Sequence, residues 1–434
     1  MPVEQSEEFN VSSSSLADLS EEYSVRQFVN DFQQHSLMTP PEGHVVKEYH
    51  TKDLSIGGVI RRGTFGSIYR VKIRNDNNGT NDEGNGSSSS TDQKRSTNVE
   101  LKRIDSVLQG NRKVYMECAL NMANEVKILT CLRHRNVIQL IGVHAGDMVQ
   151  LLENKRYFLL LEAITSTLED QLDGWLQHQH EGGSGLLFSN HQNKKQTATC
   201  RVRDVALGVA SAVEYLHSNS IAYRDVRPRS VGFNTAGHVK LINFSRARNL
   251  DVSTGIGEQL QFCGRPPYVA PEVVRGQWYD ERIDVFSFGM LLWEVLTLQK
   301  PFYTLMHEDR LNEAIVQGKR PQINSVSSRT MRNLIKECWV DDPNKRPSFS
   351  SIRGRLQQYV DDDDSVRDIN SQQQEQQQQQ QQESVPDPPT SRLLSPFGRR
   401  KSASQPDKKR GILGMGKNRG VGGRSPPTKK KSNS

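Results

Sequence analysis

The chain has 434 residues, of which 34% are hydrophobic, so it is longer than one ordinary domain and too polar for all of it to lie in a core. Its net charge of +7 is uneven: Arg392 to Ser434 holds 13 Lys/Arg against one acid, a net of +12, which leaves −5 on the rest. The basicity therefore belongs to a tail and not to a folded surface, and no apolar run approaches the roughly 18 residues of a membrane span.

In chain order, Met1-Pro2-Val3-Glu4-Gln5 has neither the basic nor the apolar region of a signal peptide. Residues 1–50 are Ser- and Glu-rich and read as disordered or loosely docked, with a short amphipathic stretch over Ser20–Val29. Ile56 to Ile73 reads as two strands around a glycine-bearing turn. Residues 75–98 are low-complexity loop, and Val99–Ile104 is a strand. Met116 to Leu132 has helical spacing, with Ala119, Met122, Ala123, Val126 and Leu129 on one face. Tyr157–Leu161 reads as a buried strand, 178–198 as a polar insertion, and 199–218, Val285–Leu298 and Thr330–Cys338 as helices. Past Asp361 come acids, a Gln-rich run over Gln372–Gln382 and the basic end, a composition that predicts disorder for 361–434. Five cysteines (Cys118, Cys131, Cys200, Cys263, Cys338) show no metal-ligand spacing, which predicts reduced thiols in a cytosolic or nuclear protein.

Two stretches carry the chemistry. Tyr223-Arg224-Asp225-Val226-Arg227-Pro228-Arg229-Ser230 has the shape of H-R-D-x-x-x-x-N, and Asn243-Phe244-Ser245 that of D-F-G. Upstream, Arg61-Arg62-Gly63-Thr64-Phe65-Gly66-Ser67-Ile68 aligns with G-x-G-x-x-G-x-V, on its own a common hairpin turn. Val99-Glu100-Leu101-Lys102 aligns with V-A-I-K, where Lys102 is otherwise a surface lysine on an edge strand. Ala270-Pro271-Glu272 matches A-P-E, and Cys338-Trp339 precedes Asp342-Pro343-Asn344-Lys345-Arg346-Pro347. The gaps agree as well: 23 residues from Lys102 to Glu125, 18 from Asp225 to Asn243 and 27 from Asn243 to Ala270.

From about Asp53 to Val360 the chain resembles the eukaryotic protein kinases, and its C-terminal motif resembles their tyrosine-kinase-like branch. The resemblance implies an α+β, bilobal fold over 51–360: a small antiparallel sheet lobe with one helix (51–164) and a larger helical lobe (165–360). It implies ATP as cofactor, held by Gly63, Gly66, Ile68, Lys102, Glu125, Glu162 and Ala163. Asp225, Arg227 and Lys102 take the catalytic places. Leu129, Tyr223, Arg224, Phe244, Glu272, Asp284 and Arg346 take structural ones, with Asp284 bracing the catalytic loop and Arg346 pairing with Glu272.

Several positions depart from the family pattern. Ser230 and Asn243 stand where magnesium ligands belong; neither is charged, and magnesium prefers charged oxygens. Arg61 replaces the first glycine, and Ser245 the last residue of D-F-G. Glu100 replaces the small residue that roofs the adenine, and its carboxylate would either crowd the base or pair with Lys102. The departures predict a catalytically impaired pseudokinase with ATP binding in doubt and weak or no Mg²⁺ binding, acting as a signalling scaffold or allosteric partner. The alternative is an active Ser/Thr or dual-specificity kinase acting on protein substrates. The tail clusters Arg399-Arg400-Lys401, Lys408-Lys409-Arg410 and Lys429-Lys430-Lys431 read as a solvated basic tail, as polyanion-binding patches or as nuclear-import signals on a cytoplasmic protein.

Overall fold

The computed structural model describes residues 45–63, 66–74, 98–181, 198–250, 263–305 and 307–383. The chain divides into two compact units, Met1–Gln373 and Gln374–Ser434. Within the second, the described residues are helical as far as Glu383.

Alternating side chains build the first lobe. Strands β1 (Lys47–Tyr49), β2 (Leu54–Gly63), β3 (Gly66–Ile73) and β4 (Asn98–Arg103) precede helix α1 (Arg112–Cys131). Strand β5 (Leu140–His144), the short α2 (Met148–Glu153) and β6 (Phe158–Glu162) complete the lobe. The sheet order is β1-β5-β6-β4-β3-β2, antiparallel except for the parallel β1–β5 pair. Strand residues two apart share a face. Val99, Leu101, Phe158 and Leu160 therefore join Leu54 and Val71 in a small core on one side of the sheet. Glu100 and Lys102 lie on the other side, in register with Leu161 and Leu159.

Helix α1 starts at Arg112, ahead of the Met116 expected from periodicity. Asn111 caps it: its side chain accepts the Val114 N–H at 3.2 Å and satisfies one of the free first-turn donors. The inner face, Cys118, Met122, Glu125 and Leu129, is buried. Regular structure also begins before Thr51, since β1 pairs with β5. The amphipathic stretch expected near Ser20–Val29 and the loop 75–97 lie outside the described residues.

Strand β7 (Ile164–Thr167) follows the linker and leads into α3 (Leu168–Glu181), so the expected polar insertion at 178–198 opens as helix. Next come a single π turn over Val202–Ala206, α4 (Leu207–Ser218), β8 (Ile221–Ala222), β9 (Val231–Asn234), β10 (Val239–Leu241) and β11 (Arg248–Asn249). The helices α5 (Pro271–Val274), α6 (Arg282–Thr297), α7 (Glu308–Val316) and α8 (Arg329–Cys338) build the lower lobe. Every residue of α6 from Ile283 to Val295 is buried, the polar Asp284, Ser287 and Glu294 among them.

The last helix, α9, spans Phe349–Glu383 and corrects the expectation of disorder from residue 361. Tyr359 and Val360 are buried, and Arg203 pairs with Asp364 at 2.5 Å, so the acidic stretch begins on an anchored helix. Extending a formed helix needs no new nucleus, and Gln is a fair helix former. Residues 384–434 are outside the described set. All five cysteines are free thiols. Among the described residues no helix is long and apolar enough to cross a membrane.

Candidate active site

The loop after β8 carries Asp225, whose carboxylate is buried. Three side chains converge on it. Arg227 Nε donates to Oδ1 at 2.8 Å, Ser230 Oγ to Oδ2 at 2.6 Å, and Asn243 Nδ2 to Oδ2 at 3.4 Å. A substrate hydroxyl would have to compete with these donors for Asp225. Arg227, the second of the residues in the catalytic places, is turned onto this carboxylate.

The loop is held from below and from the side. Asp284, at the start of α6, accepts the N–H groups of Tyr223 and Arg224, both at 2.7 Å, and its Oδ2 lies 3.0 Å from His217 Nε2. The Tyr223 hydroxyl donates to the carbonyls of Ile242 and Ser230, which ties the catalytic loop to the strand before Asn243. Burial pushes the Tyr223 hydroxyl pKa far up, so it stays a donor. Its ring packs on Phe244 with centroids 5.2 Å apart, and Leu129 is buried in the same core. Arg224 is buried with its guanidinium over the Tyr279 ring. Lower down, Arg346 makes a two-bond pair with Glu272, at 2.6 and 2.8 Å.

Asn243 adopts φ 66°, a left-handed conformation that Asn tolerates better than most residues. Its Oδ1 accepts from Lys102 Nζ at 3.2 Å and from Ser245 Oγ at 2.9 Å. Lys102 also pairs with Glu125, whose other oxygen accepts the Phe244 N–H at 3.1 Å. Lys102, Glu125 and Asn243 thus form one bonded chain across the cleft. Glu100 does not pair with Lys102, the arrangement weighed from sequence. Its partner is Arg61, and its Oε1 accepts the Ile164 N–H at 3.0 Å. Burial raises the Glu100 carboxyl pKa, against the opposing pull of Arg61.

The remaining cofactor candidates take varied places. Ile68 sits in register with both Arg61 and Lys102. Gly66 lies against β4, where an added Cβ would stand 2.3 Å from the Arg103 carbonyl oxygen; a side chain is excluded there by packing alone. Gly63 is exposed at the hairpin end. Glu162 directs its carboxylate to Asn234 Nδ2 at 2.8 Å and to Lys240 Nζ at 2.9 Å, and partly buried Ala163 follows it in the linker. Sequence reasoning missed Ile164, which acts through its backbone. The available signal was the opposite charge of Arg61 and Glu100, at two positions where the family pattern is small.

The donors open to a magnesium ion in this arrangement are one carboxylate already holding three hydrogen bonds, one hydroxyl and one amide. That set does not fit a hard dication, and the Lys102 ammonium stands against the amide oxygen. Among the described residues no cluster of three His, Cys, Asp or Glu is placed to hold a metal.

The family model for the protein kinase domain matches residues 83–356. The chain belongs to the protein kinase family. The serine/threonine-protein kinase VIK of Arabidopsis thaliana is 33% identical over 314 residues, which cover 70% of this chain and 60% of the relative. The serine/threonine-protein kinase STY17 of the same plant is 30% identical over 249 residues, covering 57% and 39%. A putative serine/threonine-protein kinase/receptor, R818, of Acanthamoeba polyphaga mimivirus is 28% identical over 305 residues, covering 69% and 15%. The chain therefore spans less than two thirds of each of these relatives. The kinase-domain match begins after the β2–β3 hairpin, the part of the kinase lobe that carries Arg61.

Proposed function

We propose that this kinase-family chain is a signalling protein with an impaired phosphotransfer site, acting by shape as a scaffold or allosteric partner of another protein. One observation carries the reading. Both positions that would hold magnesium are uncharged and are bonded inward, Ser230 to Asp225 and Asn243 to Lys102, Ser245 and Asp225. Phosphoryl transfer depends on positioning and charge neutralisation, so losing a metal charge removes a main source of rate.

The second reading is an active Ser/Thr or dual-specificity kinase. It is favoured by the formed Lys102–Glu125 pair, the packed Tyr223 and Phe244 rings and the names of the relatives. Titrating ATP with Mg²⁺ and with chelator separates the two. We expect affinities within about threefold of each other, a small difference on the free-energy scale. A large magnesium-dependent gain, together with protein phosphorylation abolished by Asp225→Ala, favours the active kinase. In the impaired reading, Glu100→Ala, Ser230→Asn, Asn243→Asp and Ser245→Gly combined raise transfer far more than any single change, because such groups act as a unit.

The basic tail is a candidate contact for polyanions and a candidate nuclear-import signal. Its +12 net charge supports the polyanion role, and the expected outcome is binding to nucleic acid or anionic lipid that falls steeply with salt. Binding that survives deletion of 392–434 would place the contact elsewhere.

A further inference from the structure

Arg61, Glu100 and the backbone of Ile164 close a ring of three contacts. The Ile164 N–H donates to Glu100 Oε1 at 3.0 Å, Glu100 Oε2 pairs with the Arg61 guanidinium, and Arg61 donates back to the Ile164 carbonyl at 3.3 Å. The ring joins three separate pieces of chain: the hairpin strand β2, the central strand β4 and the first residue of β7, just past the linker between the lobes. The Glu100 side chain is 3% exposed and that of Arg61 24%, so the carboxylate is shut in and the guanidinium covers it.

We propose that Arg61 and Glu100 form an internal latch that keeps purine bases out of the cleft by occupying the Ile164 backbone. The inference deepens the reading above and rests on the cleft being the nucleotide cleft of a kinase fold. It does not depend on the state of the metal positions. A flat heterocycle beneath residue 100 needs a donor and an acceptor at the linker. Ile164 offers both; Glu100 takes its N–H, and the Arg61 guanidinium stands at its carbonyl. A base that took the Ile164 N–H from Glu100 would strip a buried carboxylate of its amide donor, which is costly. The two substitutions are thus complementary: either alone would leave a charge facing the cleft, whereas together they neutralise each other and close it.

Adenosine is the probe, because it carries the base and no phosphate and so reports nothing about magnesium. Binding is measured by calorimetry on the full chain, unmodified and as the Arg61→Gly/Glu100→Ala double variant. The latch predicts no saturation of the unmodified protein at millimolar adenosine, and affinity at least tenfold higher in the double variant. Should that variant not melt cooperatively, Arg61→Lys serves. It keeps the cation but lacks the fork that reaches Glu100 and Ile164 together, and a gain of about threefold is expected. Equal adenosine affinity in the unmodified protein and a folded variant would overturn the latch. That result would leave the impaired-site reading standing, since the magnesium dependence of ATP binding tests it separately.

Discussion

Beneath the catalytic loop, Arg346 and Glu272 meet in a buried two-bond pair and Asp284 holds two loop amides. Above it, Arg61 and Glu100 also form a pair, Ser245 bonds to Asn243, and Ser230 and Asn243 both bond to Asp225. In both regions these buried side chains are held by hydrogen bonds within the protein. They differ in which residues do it. The lower region uses the charged residues of the family motifs. The cleft joins motif residues such as Lys102, Glu125 and Asp225 to residues that depart from the motifs, and the bonds of the latter run onto the protein. A binding site must keep some hydrogen-bonding capacity unspent for its ligand. The comparison thus separates a region braced by motif residues from a cleft in which the departing residues bond to the protein itself.

The largest test is to break the lower pair. Removing one partner of a buried ion pair leaves the other charge uncompensated, and Arg346→Ala should cost about 3–5 kcal/mol in urea unfolding. A loss below about 1 kcal/mol would show that the brace is not what holds the lobe.

Glu294, on the same helix as Asp284, comes next. Its hydrogen bond is from a neutral phenol, Tyr268, at 2.6 Å, and burial pushes its carboxyl pKa up to about 7. The folded state therefore holds this proton more tightly than the unfolded chain. Native stability should fall as pH rises from the ordinary carboxyl range through about 7, by about 3 kcal/mol in all. Glu294→Gln should flatten that slope in melts between pH 5 and 8; an unchanged slope would remove Glu294 as its source.

The smallest effect belongs to the cleft. Arg61→Met should cost about 1–2 kcal/mol at pH 8, because it deprives the ionised Glu100 of its cation. Since burial raises the Glu100 carboxyl pKa, the cost should shrink on acidification, as the group takes up a proton. A cost that grows on acidification would contradict this account of the pair.

Much of this architecture was legible in the chain. Alternation gave β2 to β4, and the spacing of Lys102, Glu125, Asp225 and Asn243 gave residues that the fold does bring together. What periodicity could not supply was set by single side chains or by tertiary partners. The start of α1 depends on the Asn111 cap. The reach of α9 depends on packing at Tyr359 and Val360, while its composition alone argued for disorder. In the site, Glu100 was placed correctly on the face of Lys102, but its partner was not, because the choice between two cations depends on how far Arg61 reaches across β3 to β4. Ile164 contributes only backbone atoms, which no side-chain pattern reveals.

Strand β1 has a consequence for where this chain can be cut. It pairs Lys47, Glu48 and Tyr49 with Gly142, Val143 and His144, and the Tyr49 carbonyl accepts the Ala145 N–H at 2.8 Å. Gly142 is fitted to this neighbour, since a Cβ there would stand 2.5 Å from the Tyr49 ring. With β1 in place, β5 is an interior strand. A chain trimmed to start at Thr51 would present β5 as a bare border with unspent amides and carbonyls and a shallow notch at Gly142, the kind of surface on which a second molecule can lay a strand.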